Sequence, residues 1–473
     1  MLVAAAATAG SAEAQRRVAV LIVEGDQPAA VRSGGAVGLY VAGRGLYVSR
    51  DEALEALQAD DLPQGPFPCG RLRRCPIEIF VSVPPLGAQR NTQRYEITIR
   101  GGDYGGLLVS ESTQIAGLVA IEDIPETVRA LEDGREPPIS SRDDPVPRAG
   151  LAILDERLTD ARAAQLPATV ALTLALIALA GAAVLRRSAP LARAALLFAP
   201  LALLFPLAVA ALHATGPFET TAAVLVALPV ALLAGRVRGE RFAIAIAGLV
   251  AVYGLVLAIS PETNALSAIG PHPWNGGRFY GLTNQNETLL VAAALAAGAV
   301  FADLRTLTLA ALCLVVFGAS SIGADGGGLV VAAAAFAVLW WRLGRGSAAW
   351  LVGAAVAVAA VIALDAALGG SSHVVDAVRG GPGELWDAFS RRMRLSWSIV
   401  TSSVSQAAVF VAGLGLLAWF GSVRPRTAVV DAFLVATAVS LLVNDSPTKV
   451  LGYGAIMCGA LRAWSVWDSR DAE

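Results

Sequence analysis

Apolar positions come in two rhythms along this chain. Before residue 166 the apolar runs are strand-length: VAVLIV at 18–23, closed by the turn-prone EGD, then IEIFVSV at 77–83, YEITIR at 95–100 and GLLVS at 106–110. Residues 51–58 and 124–132 carry helical spacing, so this part predicts a small α/β domain. From residue 166 the chain turns to long runs of Ala, Leu and Val separated by short polar loops. They lie at 166–185, 194–212, 219–235, 242–260, 285–301, 306–322, 328–341, 348–368, 404–421, 427–443 and 447–463. A bilayer core about 30 Å thick takes about 20 apolar residues per helix, so these runs predict about 11 transmembrane helices. The fold class expected is a mainly α-helical polytopic membrane protein with a small N-terminal α/β extracytoplasmic domain.

Composition agrees. Of 473 residues, 55% are hydrophobic and 16% charged, against about 25% charged in soluble domains. The net charge of −2 and the lack of a basic tail exclude a nucleic-acid partner. Arginine sets the expected orientation through the excess of positive charge on cytoplasmic loops. Arg186 with Arg187, then Arg236, Arg238 and Arg241, then Arg305, Arg342 with Arg345, and Arg424 with Arg426 fall in alternate loops. These loops are expected in the cytoplasm, with the N-terminal domain on the extracytoplasmic side of the membrane. Residues 1–15 read as a truncated signal sequence ending in Ala12-Glu13-Ala14. Residues 16–160 read as the extracytoplasmic domain and 166–464 as the membrane domain, with outer loops at 261–284 and 369–403. Residues 465–473 read as a cytoplasmic tail. Cys69 and Cys75, in PCGRLRRCP on the oxidising side, are expected to form a disulfide. Cys313 and Cys458 lie in apolar runs and read as small core residues.

Polar residues inside a bilayer are costly, so those that persist there are candidates for function. Four clusters stand out, all on the expected outer side. The first is WNGGRFYGLTNQNETLL at 274–290, where Arg278 can fork onto a phosphate while Asn284, Asn286 and Glu287 open a helix whose positive end favours an anion. A capped helix after a structured loop is the plainer reading. The second is SSIGADGGGLV at 320–330, where three glycines beside Asp325 are expected to break the helix; a tight hairpin is the plainer reading. The third, residues 369–397, holds His373 as a proton acceptor or donor, with a polar surface group as the plainer reading. It also holds a basic amphipathic helix with Leu385, Trp386, Phe389 and Met393 on one face and Arg391, Arg392 and Arg394 on others, suited to membrane lipids. The fourth is LLVNDSPTKVLGYG at 441–454, with Asp445 and Lys449, the single lysine of a chain otherwise rich in arginine, where a point-charge ammonium is expected to serve substrate binding. A simple Asp445–Lys449 pair is the plainer reading.

Two stretches carry a family resemblance. VAVLIVEGD resembles the opening strand of the alkaline phosphatase/sulfatase superfamily, which ends in an acidic metal ligand followed by Gly. GLLVSESTQIAGLVAIEDIPETVRAL is similar to a stretch near the end of that domain in uncharacterised bacterial envelope membrane proteins. The matching residues are Ser112, Thr113, Gly117, Leu118, Val119, Asp123, Ile124, Pro125 and Thr127. The departures are large: residues 1–165 contain no His, Glu24 stands where a ligand Asp is expected, and the domain is short. A two-metal cluster of Asp and His cannot be assembled from them. The resemblance therefore implies a degenerate, non-catalytic domain used for binding or positioning. WNGGRFYG with TNQNE, GADGGG, Ser-His and Asn-Asp-Ser are similar to the polar signature of the membrane half of the same proteins, with Pro447 where that pattern continues with Gly.

Three functions remain open. The first is a membrane transferase or lyase acting at the outer leaflet on a lipid-linked or phosphorylated envelope glycan. Arg278 together with Arg391, Arg392 or Arg394 would hold phosphate, and His373, Glu287, Asp325 or Asp445 would supply the general base. The second is a transporter or flippase of an envelope precursor. The third is a non-catalytic envelope scaffold. No cofactor and no metal cluster is implied, and a single divalent cation held by Asp325 or Asp445 stays open.

Overall fold

In a computed structural model, the protein is described over residues 18–25, 27, 34–41, 50–58, 61–62, 76–87, 93–275, 278–347, 349–367 and 381–468. The chain divides into two compact units, one of residues 1–158 with 273–279 and one of 159–272 with 280–473. Cys69, Cys75 and His373, and with them the expected disulfide, lie outside the described residues.

The first unit is built on a mixed sheet of seven strands: β1 (Val18–Glu24), β2 (Ala36–Val41), β3 (Ile77–Val83), β4 (Arg94–Gly101), β5 (Gly106–Ser110), β6 (Leu118–Val119) and β7 (Ile139–Arg142). Its order is β1-β3-β4-β2-β5-β7, with β6 pairing β2 beside β5. β1 runs parallel to β3, β4 is antiparallel to both β3 and β2, and β2 is parallel to β5. The four predicted strands are present; β2, β6 and β7 were not foreseen. β2 lies in mid-sheet and is buried along its whole length. Helices of this unit include α1 (Arg50–Ala56) and α2 (Asp123–Asp133). α2 ends at Gly134 in the left-handed conformation, where glycine carries no Cβ penalty. Val20, Ile79, Val81, Ile97, Ile99 and Leu108 form the core with Ile124 and Val128 of α2.

The residues that carry the family resemblance serve the fold locally. Ser112 Oγ donates to Asp123 Oδ1 at 2.8 Å, and Ser110 Oγ donates to the other carboxylate oxygen. Thr113 Oγ1 donates to the Leu118 carbonyl at 2.6 Å. Glu24, at the end of β1, is ion-paired with Arg50.

The second unit is helical. α3 (Pro147–Arg186) runs into it, followed by α4 (Ala189–Ala211), α5 (Pro217–Ala234), α6 (Gly239–Ile259), the short α7 (Pro261–Ala265), α8 (Asn284–Phe301), α9 (Leu304–Gly318), α10 (Gly326–Arg342), α11 (Ala349–Ala367), α12 (Gly381–Thr401), α13 (Val404–Ser422), α14 (Ala428–Val443) and α15 (Pro447–Trp467). Each of the eleven apolar runs forms a helix. Among the described residues, five helices are long and apolar enough to cross a membrane: α3, α4, α5, α6 and α13. Local features account for three of the other helices. α8 opens with the polar sequence NQNE, α15 with PTKVLGYG, and α9 stops at Gly318 rather than reaching residue 322.

α8 lies at the centre and is buried from Asn284 to Gly298. The outer helices reverse the soluble pattern, with Leu174 and Ile177 of α3, Leu233 of α5, Leu255 of α6, Val356 of α11 and Trp419 of α13 exposed. So much exposed apolar surface on apolar helices is costly in water and favourable in hydrocarbon. It is consistent with a multi-pass membrane protein.

Candidate functional site

Backbone geometry first brings the helix ends together. Gly281 has φ +82, and a Cβ there would lie 2.2 Å from the Gly323 carbonyl oxygen. That oxygen accepts the Leu282 N–H at 2.7 Å, which ties the entry to α8 against the 319–325 turn that precedes α10. Asp365 of α11 holds the same turn, accepting from Ser320 N and Ser320 Oγ, both at 2.9 Å. One expectation is corrected here. Gly326, Gly327 and Gly328 do not break a helix; they form the first turn of α10, and the break lies ahead of them at 319–325. Asp325 caps that turn, its carboxylate accepting the Gly328 N–H at 3.1 Å.

Side chains from three hairpins then meet. Asn444, which ends α14, donates through Nδ2 to Glu287 Oε2 at 2.9 Å and to Ser440 Oγ at 2.8 Å. Asn284 Nδ2 donates to Asp445 Oδ1 at 2.9 Å. A Cβ on Gly328 would stand 3.3 Å from both Asp325 Cγ and Glu287 Cδ, so the two carboxylates flank one glycine. Glu287 is 0% exposed, Asp325 3% and Asn444 5%, whereas Asp445 reaches the surface. Burying carboxylates is expensive unless donors and dipoles compensate. Glu287 sits in the first turn of α8 and Asp325 at the head of α10, where the positive helix ends favour negative charge.

The remaining predicted residues divide. Asn286 belongs to a neighbouring structural set, donating to the Tyr253 hydroxyl at 3.3 Å and the Ile269 carbonyl at 3.0 Å. Arg392 Nη1 donates to the Val443 carbonyl at 2.9 Å, whereas Arg391 and Arg394 are exposed. Lys449 stands within electrostatic reach of Asp445 and His272. Arg278 is described with the first unit.

Sequence reasoning missed Asp365, Ser440 and the Gln165–His272 pair, whose side-chain nitrogens lie 2.9 Å apart. Asp365 carried a signal, as a lone acid near the end of an apolar run. Burial, reinforced by the nearby Lys449 ammonium, pushes the His272 imidazole down to about 3. It is therefore neutral at physiological pH and can accept the Gln165 amide hydrogen.

At the opposite ends of α8, α14 and α15 a cavity of about 370 Å³ is lined by Ala299, Val300, Thr427, Trp464, Ser465 and Asp468, none of them a sequence-predicted site residue. Among the described residues, no group of three or more His, Cys, Asp or Glu could hold a metal ion. What the Glu287 cluster can do is hold or move a proton beside oriented amides.

Fold and site together define a mainly helical protein with several apolar helices and a small α/β domain. No protein-family model, curated protein or solved structure matches the chain.

Proposed function

We propose that this is a multi-pass protein of the bacterial cytoplasmic membrane, crossing it about eleven times, with an outer-face site that acts on a lipid-linked or phosphorylated envelope glycan. The observation that carries this reading is the meeting of Glu287, Asp325, Asn284, Asn444 and Asp445, drawn from three separate hairpins, at the ends of α8, α10 and α14. The arginine-rich loops supply the orientation. Arg305 follows α8, Arg342 ends α10, and Arg424 and Arg426 precede α14. The cluster lies at the other end of each of these helices and so faces outward.

In this reading a buried carboxylate of the Glu287–Asp325 pair takes the proton from a glycan hydroxyl as its oxygen bonds to the anomeric carbon of the lipid-linked glycan, while the bond from that carbon to the lipid phosphate breaks and the phosphate leaves on its lipid. Asn284 and Asn444 fix the carboxylates that they touch. Exposed Arg391 and Arg394 receive a phosphate from the lipid side. The α/β domain, with its phosphatase-like opening strand, serves for binding or positioning.

The test is a deletion strain complemented with Glu287→Gln, Asp325→Asn or Asp445→Asn, each checked for normal protein level. Lipid-linked glycans and cell-wall polymers are then measured. Glu287→Gln and Asp325→Asn should reproduce the composition of the deletion strain, with Asp445→Asn intermediate because its carboxylate is exposed. Wild-type composition in all three would end the proposal.

The burial of Glu287 and Asp325 between helices also favours a second reading, a proton-coupled transporter or flippase of the precursor. It predicts sidedness: in the deletion strain the precursor accumulates on the cytoplasmic face, whereas a transferase defect leaves it on the outer face.

A further inference from the structure

α12 has two unlike sides. Into the bundle it sends Arg392, which donates to the Val443 carbonyl at 2.9 Å, and Ser396, which donates to the Asn444 carbonyl at 3.4 Å. Ser396 and Val400 are buried. These bonds grip the backbone on either side of the peptide that presents the Asn444 side chain to Glu287. The carbonyls they satisfy lie at the end of α14, where the helix leaves such groups without intrahelical partners.

Away from the bundle the helix shows Trp386 at 66% exposure and Trp397 at 68%, with Phe389 and Leu395 partly open. The Trp386 and Phe389 rings pack at 5.7 Å. Arg391 and Arg394 are exposed on the flank of this apolar surface. The half of the helix from residue 391 onward holds three arginines and no acid. Tryptophans laid open beside arginines match the chemistry of a headgroup layer, with rings at the acyl boundary and guanidinium groups on phosphate.

We propose that α12 docks on anionic lipid headgroups and that this docking sets the Val443–Asn444 backbone at the head of the site. Arg391 and Arg394 bind lipid phosphate, Trp386 and Trp397 enter the interface, and Arg392 with Ser396 carries the anchoring to Asn444. Only the link to activity rests on the Glu287 cluster being the working site. The docking itself is measured without it.

The test uses the full chain in vesicles of zwitterionic lipid, with or without phosphatidylglycerol, and reads amide hydrogen exchange by mass spectrometry. Phosphatidylglycerol should slow exchange in 385–400 and at 443–446 by roughly tenfold, the scale expected for two arginines at an anionic surface once screening is included. Arg391→Gln with Arg394→Gln should abolish the lipid effect in both segments. Arg392→Met with Ser396→Ala should keep it in 385–400 and lose it at 443–446. Equal exchange in the two vesicle types would overturn the proposal. So would an effect that persists in the Arg391→Gln/Arg394→Gln chain, or one reproduced by soluble glycerol phosphate. A positive exchange result alongside silent Glu287→Gln and Asp325→Asn variants would leave the lipid contact standing and remove only the glycan reading.

Discussion

Replacing Gly327 by Ala should disable the site while leaving α10 helical. A Cβ at this position would lie 2.0 Å from Asn444 Oδ1, a separation that non-bonded atoms do not tolerate. The backbone on the Gly327 side is fixed by the Asp325 cap, so Asn444 must turn away. That costs the hydrogen bond from Asn444 Nδ2 to the buried Glu287 carboxylate, of a kind worth about 1.5–3 kcal/mol. Against it stands only the higher helix propensity of Ala, about 1 kcal/mol at most. The net expectation is a loss of about 0.5–2 kcal/mol in stability with loss of envelope complementation. Gly328→Ala provides a graded comparison. Its Cβ would meet Asp325 Cγ and Glu287 Cδ at 3.3 Å, a contact that small shifts relieve, so its effect should be the weaker of the two. Thermal unfolding in detergent, measured beside complementation, checks both. A Gly327→Ala chain that both melts and complements as wild type would contradict the contact of Asn444 with Glu287.

The largest stability effect is expected at the other end of the bundle. Arg193 of α4 is 0% exposed; it donates through Nε to the Gly235 carbonyl at 2.8 Å and is ion-paired with Asp468. One side chain thus joins α4 to the ends of α5 and α15. Asp468→Ala removes the carboxylate paired with the buried guanidinium and should cost about 3 kcal/mol. That is the low end for a buried pair, because the Asp468 side chain keeps 26% of its surface in solvent. Arg193→Met removes the charge and fills much of the same space, so it should cost less. Melting temperatures in detergent test the asymmetry, and equal or reversed losses would contradict it.

Where the sequence was readable, the reason is periodicity. Long runs of Ala, Leu and Val can satisfy their backbone only as helices once water is excluded, so each of the eleven apolar runs is helical. Length is harder to read, because the polar heads of α8 and α15 belong both to the helix and to the site. In the first unit, IEIFVSV was recovered to the residue as β3. The central strand β2 was missed because it sits within GGAVGLYVAGRG, where glycines read as breaks. Gly38 is needed inside that strand: a Cβ there would lie 3.1 Å from Leu108 Cβ and 3.3 Å from Val119 Cγ2. At the site, residue types announced themselves but partners did not. Glu287 and Asn444 are 157 positions apart, and no local pattern pairs them. Asn284 and Asn286 looked equivalent on paper. Two residues of helical turn send them to different neighbours, Asp445 for one and Tyr253 for the other.

The function proposed for this protein depends on the α8 and α14–α15 hairpins meeting at the Glu287 cluster. The most direct measurement is chemical cross-linking of paired cysteines in membranes, in a full chain whose four native cysteines are alanine. Asn284→Cys with Asp445→Cys should be joined by a short bifunctional thiosulfonate in high yield, since these side chains are in hydrogen-bond contact. Asn284→Cys with Ser465→Cys, at opposite ends of α8 and α15, should not be joined. Equal yields from the two pairs, or none from the first, would contradict the convergence.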